Sequence, residues 1–235
     1  MDQLEGAGAA YNEMVVHRLR GPLDTAVLAR ALDAVAARHD VLRARMVTVD
    51  GEVYQVAGPA DAGYPLVTVD LSGEADPEAR LVEVQRAEAE APFELGVGPL
   101  ARGRLVRLGA EDHALLLTMH HIAFDGASMV VMMREVGALY AAFLGGAEVP
   151  LETLELQYAD HARRQREWAA GPECAAQGAY WQEQLAGAPP LLEVPADRPR
   201  PPEQDHRGGR VALRVDAEVT AALSRLARRQ NSSTG

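Results

Sequence analysis

With 235 residues, 48% of them hydrophobic and 24% charged, the chain is large and apolar enough to bury a core without disulfide support. Its single cysteine, Cys174, cannot form an internal disulfide, and its formal charge of -11 opposes binding to a phosphate backbone, for which no zinc-finger, RRM or basic-zipper pattern is present either. Met1-Asp2-Gln3-Leu4-Glu5 lacks a signal peptide's basic and apolar regions, and no window reads as a bilayer span, so a cytoplasmic protein acting on neither nucleic acid nor membrane is expected.

In chain order, residues 14–20 read as a strand that Gly21-Pro22 breaks. Asp24 is the N-cap candidate of a helix in which Leu28, Leu32 and Val35 recur at helical spacing, ending near Arg38. The β-prone runs 44–49 and 52–56 are joined by Asp50-Gly51, a strong hairpin signal. A second helix covers about 77–91. Runs 100–108 and 113–119 flank a turn at 109–112, and Ala114-Leu115-Leu116-Leu117 reads as a strand buried on both faces, placing this hairpin near the centre of a sheet. A third helix starts at Gly126 or Ala127, with Met129, Met133, Val136, Tyr140 and Phe143 as its packing stripe. Helical stretches at about 156–169 and 174–185 precede a Pro-rich connector, after which one strand (211–215) and one helix (217–229) follow. Strands and helices intermixed, with hairpins and no internal repeat, indicate a mixed α/β (α+β) fold.

Chemistry concentrates in Met119-His120-His121-Ile122-Ala123-Phe124-Asp125-Gly126-Ala127-Ser128, between the buried strand and the third helix. Adjacent histidines on extended backbone point to opposite sides, so His120 and His121 should not share a role. One imidazole can accept a proton at physiological pH, with Asp125 orienting a ring or holding the loop, Gly126 permitting the strand-to-helix turn and Ser128 capping the helix. The other reading is two histidines that merely pack near a strand end. A metal site is disfavoured because the spacing is not HExxH, and a serine-hydrolase triad because no Gly-x-Ser-x-Gly elbow exists.

At these residues the sequence resembles the condensation domains of nonribosomal peptide synthetases, whose signature HHxxxDG is met by His120-His121-Ile122-Ala123-Phe124-Asp125-Gly126. Further segments resemble the same family in the same order: Arg38-His39-Asp40-Val41-Leu42-Arg43, Pro92-Phe93-Glu94-Leu95 with Gly98-Pro99-Leu100, Tyr158-Ala159-Asp160-His161-Ala162, Tyr180-Trp181 and Asp197-Arg198-Pro199-Arg200-Pro201. The resemblance implies a chloramphenicol-acetyltransferase-like fold, two lobes enclosing a tunnel entered by two phosphopantetheine arms. An acceptor aminoacyl amine attacks a donor acyl or peptidyl thioester there and forms an amide. It implies that His121 faces the tunnel and that Asp125 is largely structural, and we expect Asp125 to pair with Arg43.

The resemblance also implies 4'-phosphopantetheine thioesters delivered by donor and acceptor peptidyl carrier proteins, no directly bound cofactor or metal, and an adenylation domain in the parent synthetase. An upstream Ser-x-Ala-Gln-x-Arg motif is absent and most of a second lobe is missing. Residues 1–187 are therefore expected to form an N-terminal lobe, 188–207 a connector and 208–235 the truncated start of the second lobe, the isolated chain being inactive. Gly126 and Met129 argue against an epimerisation subtype, the paired histidines against heterocyclisation, and Met119 against β-lactam-forming relatives; ordinary condensation is left, with ester formation open. Alternatives are a free-standing acyltransferase dependent on CoA or a carrier, and a noncatalytic carrier-binding lobe. Arg163, Arg164 and Arg166, with Arg225, Arg228 and Arg229, read as solvated helix faces or as contacts for acidic carriers or a pantetheine phosphate. Asn231-Ser232-Ser233 matches a glycosylation pattern that we set aside.

Overall fold

A computed structural model of the chain describes residues 8–191, 195, 197–199, 211 and 213–233. The chain divides into two units, Met1–Pro195 and Ala196–Gly235. The first carries β1 (Asn12–Arg20), α1 (Thr25–Arg38), a 3-10 turn (Asp40–Arg43), β2 (Ala44–Val49), β3 (Glu52–Ala57), β4 (Leu66–Asp70), α2 (Pro77–Glu90), β5 (Ala101–Gly109), β6 (Asp112–His120), α3 (Gly126–Gly145), α4 (Tyr158–Ala169) and α5 (Pro172–Gln184). The second carries α6 (Ala217–Arg229).

β1, β6, β5 and β4 form one sheet in that order, antiparallel except for the parallel β4–β5 pair, while β2 and β3 form a separate hairpin. The β5–β6 hairpin is thus central, as the apolar run of β6 requires: Ala114, Leu115, Leu116 and Leu117 are at most 1% exposed. Odd positions Leu115, Leu117 and Met119 pack with Leu32 and Val35 of α1 and Val136 and Leu139 of α3. Even positions Ala114 and Leu116 pack with Leu81 of α2. Each fully buried leucine contributes roughly 1.5–3 kcal/mol, so β6 is anchored in the core on both faces just before the residues that follow it.

Local signals hold at the caps and turns. Asp24 accepts from Ala26 N and Val27 N at 3.0 Å, and Asp50 and Gly51 both have positive φ, 51° and 83°, the geometry of a two-residue hairpin turn. Gly98 is required where it stands: its φ is +64°, and a Cβ would lie 2.7 Å from the Ala44 carbonyl oxygen.

Several expectations are corrected. β4 is an element that the sequence does not announce; it is a five-residue edge strand with Val67 half exposed, too short to show a period. The strand expected over 211–215 is not formed at its described residues, 211 and 213–215, which have no regular secondary structure. The buried line of α3 runs through Met132, Val136, Leu139 and Ala142, with Met129, Met133, Tyr140 and Phe143 flanking it, because α3 packs on both α1 and the sheet. The same helix is long and apolar enough to cross a membrane by composition, contrary to the expectation that no window is; its buried face belongs to the core, and Glu135 within it pairs with Arg38 and His39. The connector expected over 188–207 lies largely outside the described residues.

Candidate active site

The HHxxxDG segment leaves the end of β6 in a tight turn, closed by Ala123 N donating to the His120 carbonyl at 2.9 Å, and enters α3. The backbone N–H of His120 donates to Leu100 O at 3.0 Å and that of His121 to Tyr11 O at 2.8 Å, so both are held by neighbouring chain on either side of β6. The alternation of the strand then separates their rings, as the sequence pattern requires.

His120 is 3% exposed. Its ring meets Phe93 edge-on at a centroid distance of 6.1 Å and Tyr11 at 5.9 Å, and its Nδ1 accepts from Ile122 N at 3.1 Å. Behind Phe93 stands the Arg102 guanidinium, 4.0 Å from the ring centroid. Arg102 donates from Nε to Glu88 Oε1 at 2.5 Å, and Arg104 holds the other Glu88 oxygen. Burial pushes the Glu88 carboxyl up, yet the two guanidiniums outweigh it and the net direction is down. Thus α2, β5 and the Pro92-Phe93 segment form a rigid wall behind His120.

His121 is different: its side chain is 51% exposed. Nδ1 donates to the Phe124 carbonyl at 2.9 Å, which fixes the ring and turns Nε2 outward, where it lies 3.1 Å from Oε1 of Glu13 on β1. The two adjacent rings therefore use Nδ1 in opposite senses, an acceptor in His120 and a donor in His121.

Asp125 is the N-cap of α3. Its Oδ1 accepts from Ser128 N at 2.8 Å and Ser128 Oγ at 2.6 Å, and these bonds, with the backbone N–H groups of the first turn and the nearby His121, hold its carboxyl below the usual aspartate range. This corrects two expectations. Ser128 donates to the cap and does not itself cap the helix. The Arg43–Asp125 pair is not formed, because Arg43 is 8% exposed and spent elsewhere: on Ala36 O at 2.7 Å, Ala37 O at 3.2 Å, the Gly58 carbonyl and Asp40 Oδ1 at 2.5 Å. The partner that Asp125 does have is Ser128, in the first turn of α3. Gly126 needs correction too: it lies inside α3, without positive φ, and a Cβ there would meet nothing within 4 Å. The turn therefore does not require a glycine at this position.

The Arg38-His39-Asp40 segment is a clamp. Arg38 Nε and His39 Nε2 reach Glu135 of α3 at 3.3 and 2.6 Å, and Gln157 bridges Arg38 O and Asp40 N, fixing the start of α4. A pocket of about 400 Å³ opens beside α4, lined among others by Tyr54, Ile122, Tyr158, Arg163 and Arg166. Ile122 joins it to the histidine turn. Glu13 is the candidate functional residue that sequence reasoning missed. Nothing local marks it; only the register of β1 on β6, Asn12 opposite His120, brings it beside His121.

The family model described as Condensation domain matches residues 1–234. Malpibaldin synthetase of Mortierella alpina is 44% identical over 231 residues, 98% of this chain and 4% of that protein. Malpinin synthetase of the same organism is 39% identical over 227 residues, 97% of this chain and 3% of that one. Among solved structures, the first condensation domain of the CDA synthetase superposes with a TM-score of 0.77 at 26% identity, covering 98% of this chain and 55% of its own. A mostly antiparallel sheet flanked by helices, with a histidine presented at the end of a central strand, thus defines a chloramphenicol-acetyltransferase-like fold. The chain belongs to the condensation-domain family of nonribosomal peptide synthetases. It spans only a few per cent of these curated relatives and a little over half of the solved domain.

Proposed function

We propose that this chain supplies the catalytic histidine of an amide-forming condensation centre, with His121 as the group that meets the acceptor amine. The observation that carries this is the pair of ring environments: His121 has Nδ1 anchored on the Phe124 carbonyl and Nε2 at the surface, whereas its neighbour is buried in an aromatic wall. A ring so oriented can take a proton from an attacking amine, or hold the amine against the donor carbonyl, without first rotating. Asp125 keeps the turn in place through α3, and Gly126 keeps space open beside it.

The donor acyl or peptidyl group and the acceptor aminoacyl group are in this reading thioesters on 4'-phosphopantetheine arms of carrier proteins. Residues 1–187 serve as the histidine-bearing lobe, with 208–235 opening the next, and an adenylation domain in the same synthetase loads the carriers. The pocket beside α4 suits an arm's phosphate, since Arg166 lines it and Arg163, although paired with Asp160 at 2.9 Å, reaches it as well.

The test is transfer of a donor acyl group onto an acceptor carrier, followed by intact mass. It is run with the 235-residue chain alone and with the same chain continued by the remaining half of a solved condensation domain. Product in the continued chain that disappears in His121→Ala is the expected result. Product that persists in His121→Ala contradicts the assignment, and carrier binding without product in either setting favours a noncatalytic carrier-binding lobe.

A further inference from the structure

In that reading the nucleophile is a primary amine, which in water near neutral pH is largely an ammonium. The site holds a carboxylate placed to receive it. We propose that Glu13 and His121 Nε2 together form the ammonium site of the acceptor substrate, with Glu13 as its anionic half, so that the chain selects an amine acceptor over a neutral alcohol. This inference rests on the reading of His121 as the acceptor-facing residue and deepens it by naming the residue that distinguishes amide from ester formation.

The proton count at the pair supports it. The Phe124 carbonyl can only accept, so its 2.9 Å contact places a hydrogen on His121 Nδ1. In the neutral ring Nε2 then presents a lone pair, and it faces a carboxylate oxygen at 3.1 Å. Two acceptors meet, and only an added proton or an N–H donor from outside can satisfy both. An ammonium carries three N–H groups and a positive charge: it donates one to Nε2 and one to Glu13, leaving its carbon substituent free to extend away. Transfer of the first proton to Nε2 leaves a neutral amine with its lone pair available and an imidazolium beside the Glu13 carboxylate, with atoms and charge conserved.

Availability points the same way. Other carboxylates around this sheet have cations or caps of their own: Glu88 has Arg102 and Arg104, Asp112 has Arg18 at 2.5 Å, Glu135 has Arg38 and His39, and Asp125 caps α3 through Ser128. Among the described residues Glu13 has no arginine partner, and the ring nitrogen it faces is His121 Nε2. The glutamate is 32% exposed at its side chain, so a ligand can reach it. It is also held in place, because the neighbouring Asn12 amide donates to Ala89 O and Ala91 O at 2.9 and 2.7 Å, pinning β1 to the end of α2.

Two non-reacting probes test this: pantetheine joined through an amide to alanine, and the same molecule with a hydroxyl in place of the amine. Binding is followed on the full chain labelled with 15N-histidine, through the His121 ring signals. Glu13→Gln is expected to weaken the amine probe about tenfold and leave the hydroxyl probe unchanged. Glu13→Asp, which keeps the charge, is expected to restore most of the preference. Equal weakening of both probes by Glu13→Gln, or no weakening of the amine probe, overturns the ammonium site while leaving His121 as the acceptor-facing residue. If neither probe shifts the His121 signals in the unaltered chain, nor in the same chain continued by the remaining half of a solved condensation domain, the reading of His121 itself fails, and the ammonium site with it.

Discussion

At the scale of single residues, the site divides work between two neighbours that a strand forces apart. In the proposed reading His120 supports and His121 acts, a division favoured by burial and by the groups that meet each ring nitrogen. Asp125 is placed with the support in the same reading. Its role as a cap predicts that Asp125→Asn and Asp125→Ser, both good capping residues, keep most of the activity, whereas Asp125→Ala lowers Tm and activity together. Thermal melts alongside product formation check this, and full activity in Asp125→Ala would remove Asp125 from the account. Because its carboxyl is held below the usual range, the charged form of this cap persists as pH falls toward that range and is lost only below it. Gly126 makes the complementary case: Gly126→Ala is predicted to leave Tm unchanged or raised, since φ is ordinary and no atom opposes a Cβ, yet to slow transfer if the open space is used by substrate. A fall in Tm would show that the glycine is there for the backbone after all.

At the scale of elements, the wall of α2, β5 and the Phe93 segment fixes where β6 ends. Glu88 is its pivot, a carboxylate 1% exposed between two arginines. Replacing it by Gln leaves two guanidiniums short of charge in a closed space, and a loss of about 2–4 kcal/mol is predicted in denaturant unfolding. The pH dependence has a definite sign: the folded carboxyl titrates below its ordinary value of 4.5, so its stabilisation is complete above that value and is lost as pH falls through the lower, folded one. The gap between the unaltered chain and Glu88→Gln should therefore narrow in acid, and a gap constant from neutral pH to strong acid would contradict the assignment. Elements whose signal is local are legible in the sequence: the Asp24 cap, the Asp50-Gly51 turn and the four-residue apolar run of β6. β4 is not legible, because an edge strand half open to water carries no period, and the described residues of the run expected as a strand over 211–215 take no regular secondary structure, since a β-prone run does not by itself specify a pairing partner.

At the scale of the whole molecule, the site joins segments far apart in the chain: Glu13 from β1, the histidine turn, and α4 held through Gln157 to the end of α1. The histidine turn can be found from its motif, while Glu13 cannot, because a register between strands so distant in the chain is a property of the fold. Arg43 shows the same lesson in reverse. Its charge is legible but its partner is not, since Asp40 and three carbonyls next to it in space take its donors before Asp125 can. If the α4 pocket receives a carrier arm, Arg166→Glu should weaken carrier binding several-fold at low salt and less at high salt. Titration of carriers at two ionic strengths measures this, and an affinity indifferent to both salt and the substitution would place the arm elsewhere.

The most direct test of the central claim compares His120→Ala and His121→Ala in one single-turnover assay on the continued chain, with Tm recorded for each. We predict that His121→Ala keeps its Tm and loses transfer by about 100-fold or more. His120→Ala, which opens a cavity beside Phe93, should lose about 2 kcal/mol or more of stability and lose transfer through its fold. A His121→Ala chain that transfers within about twofold of the unaltered one, or a His120→Ala chain that stays fully stable while transfer stops, would contradict the division of roles between the two histidines.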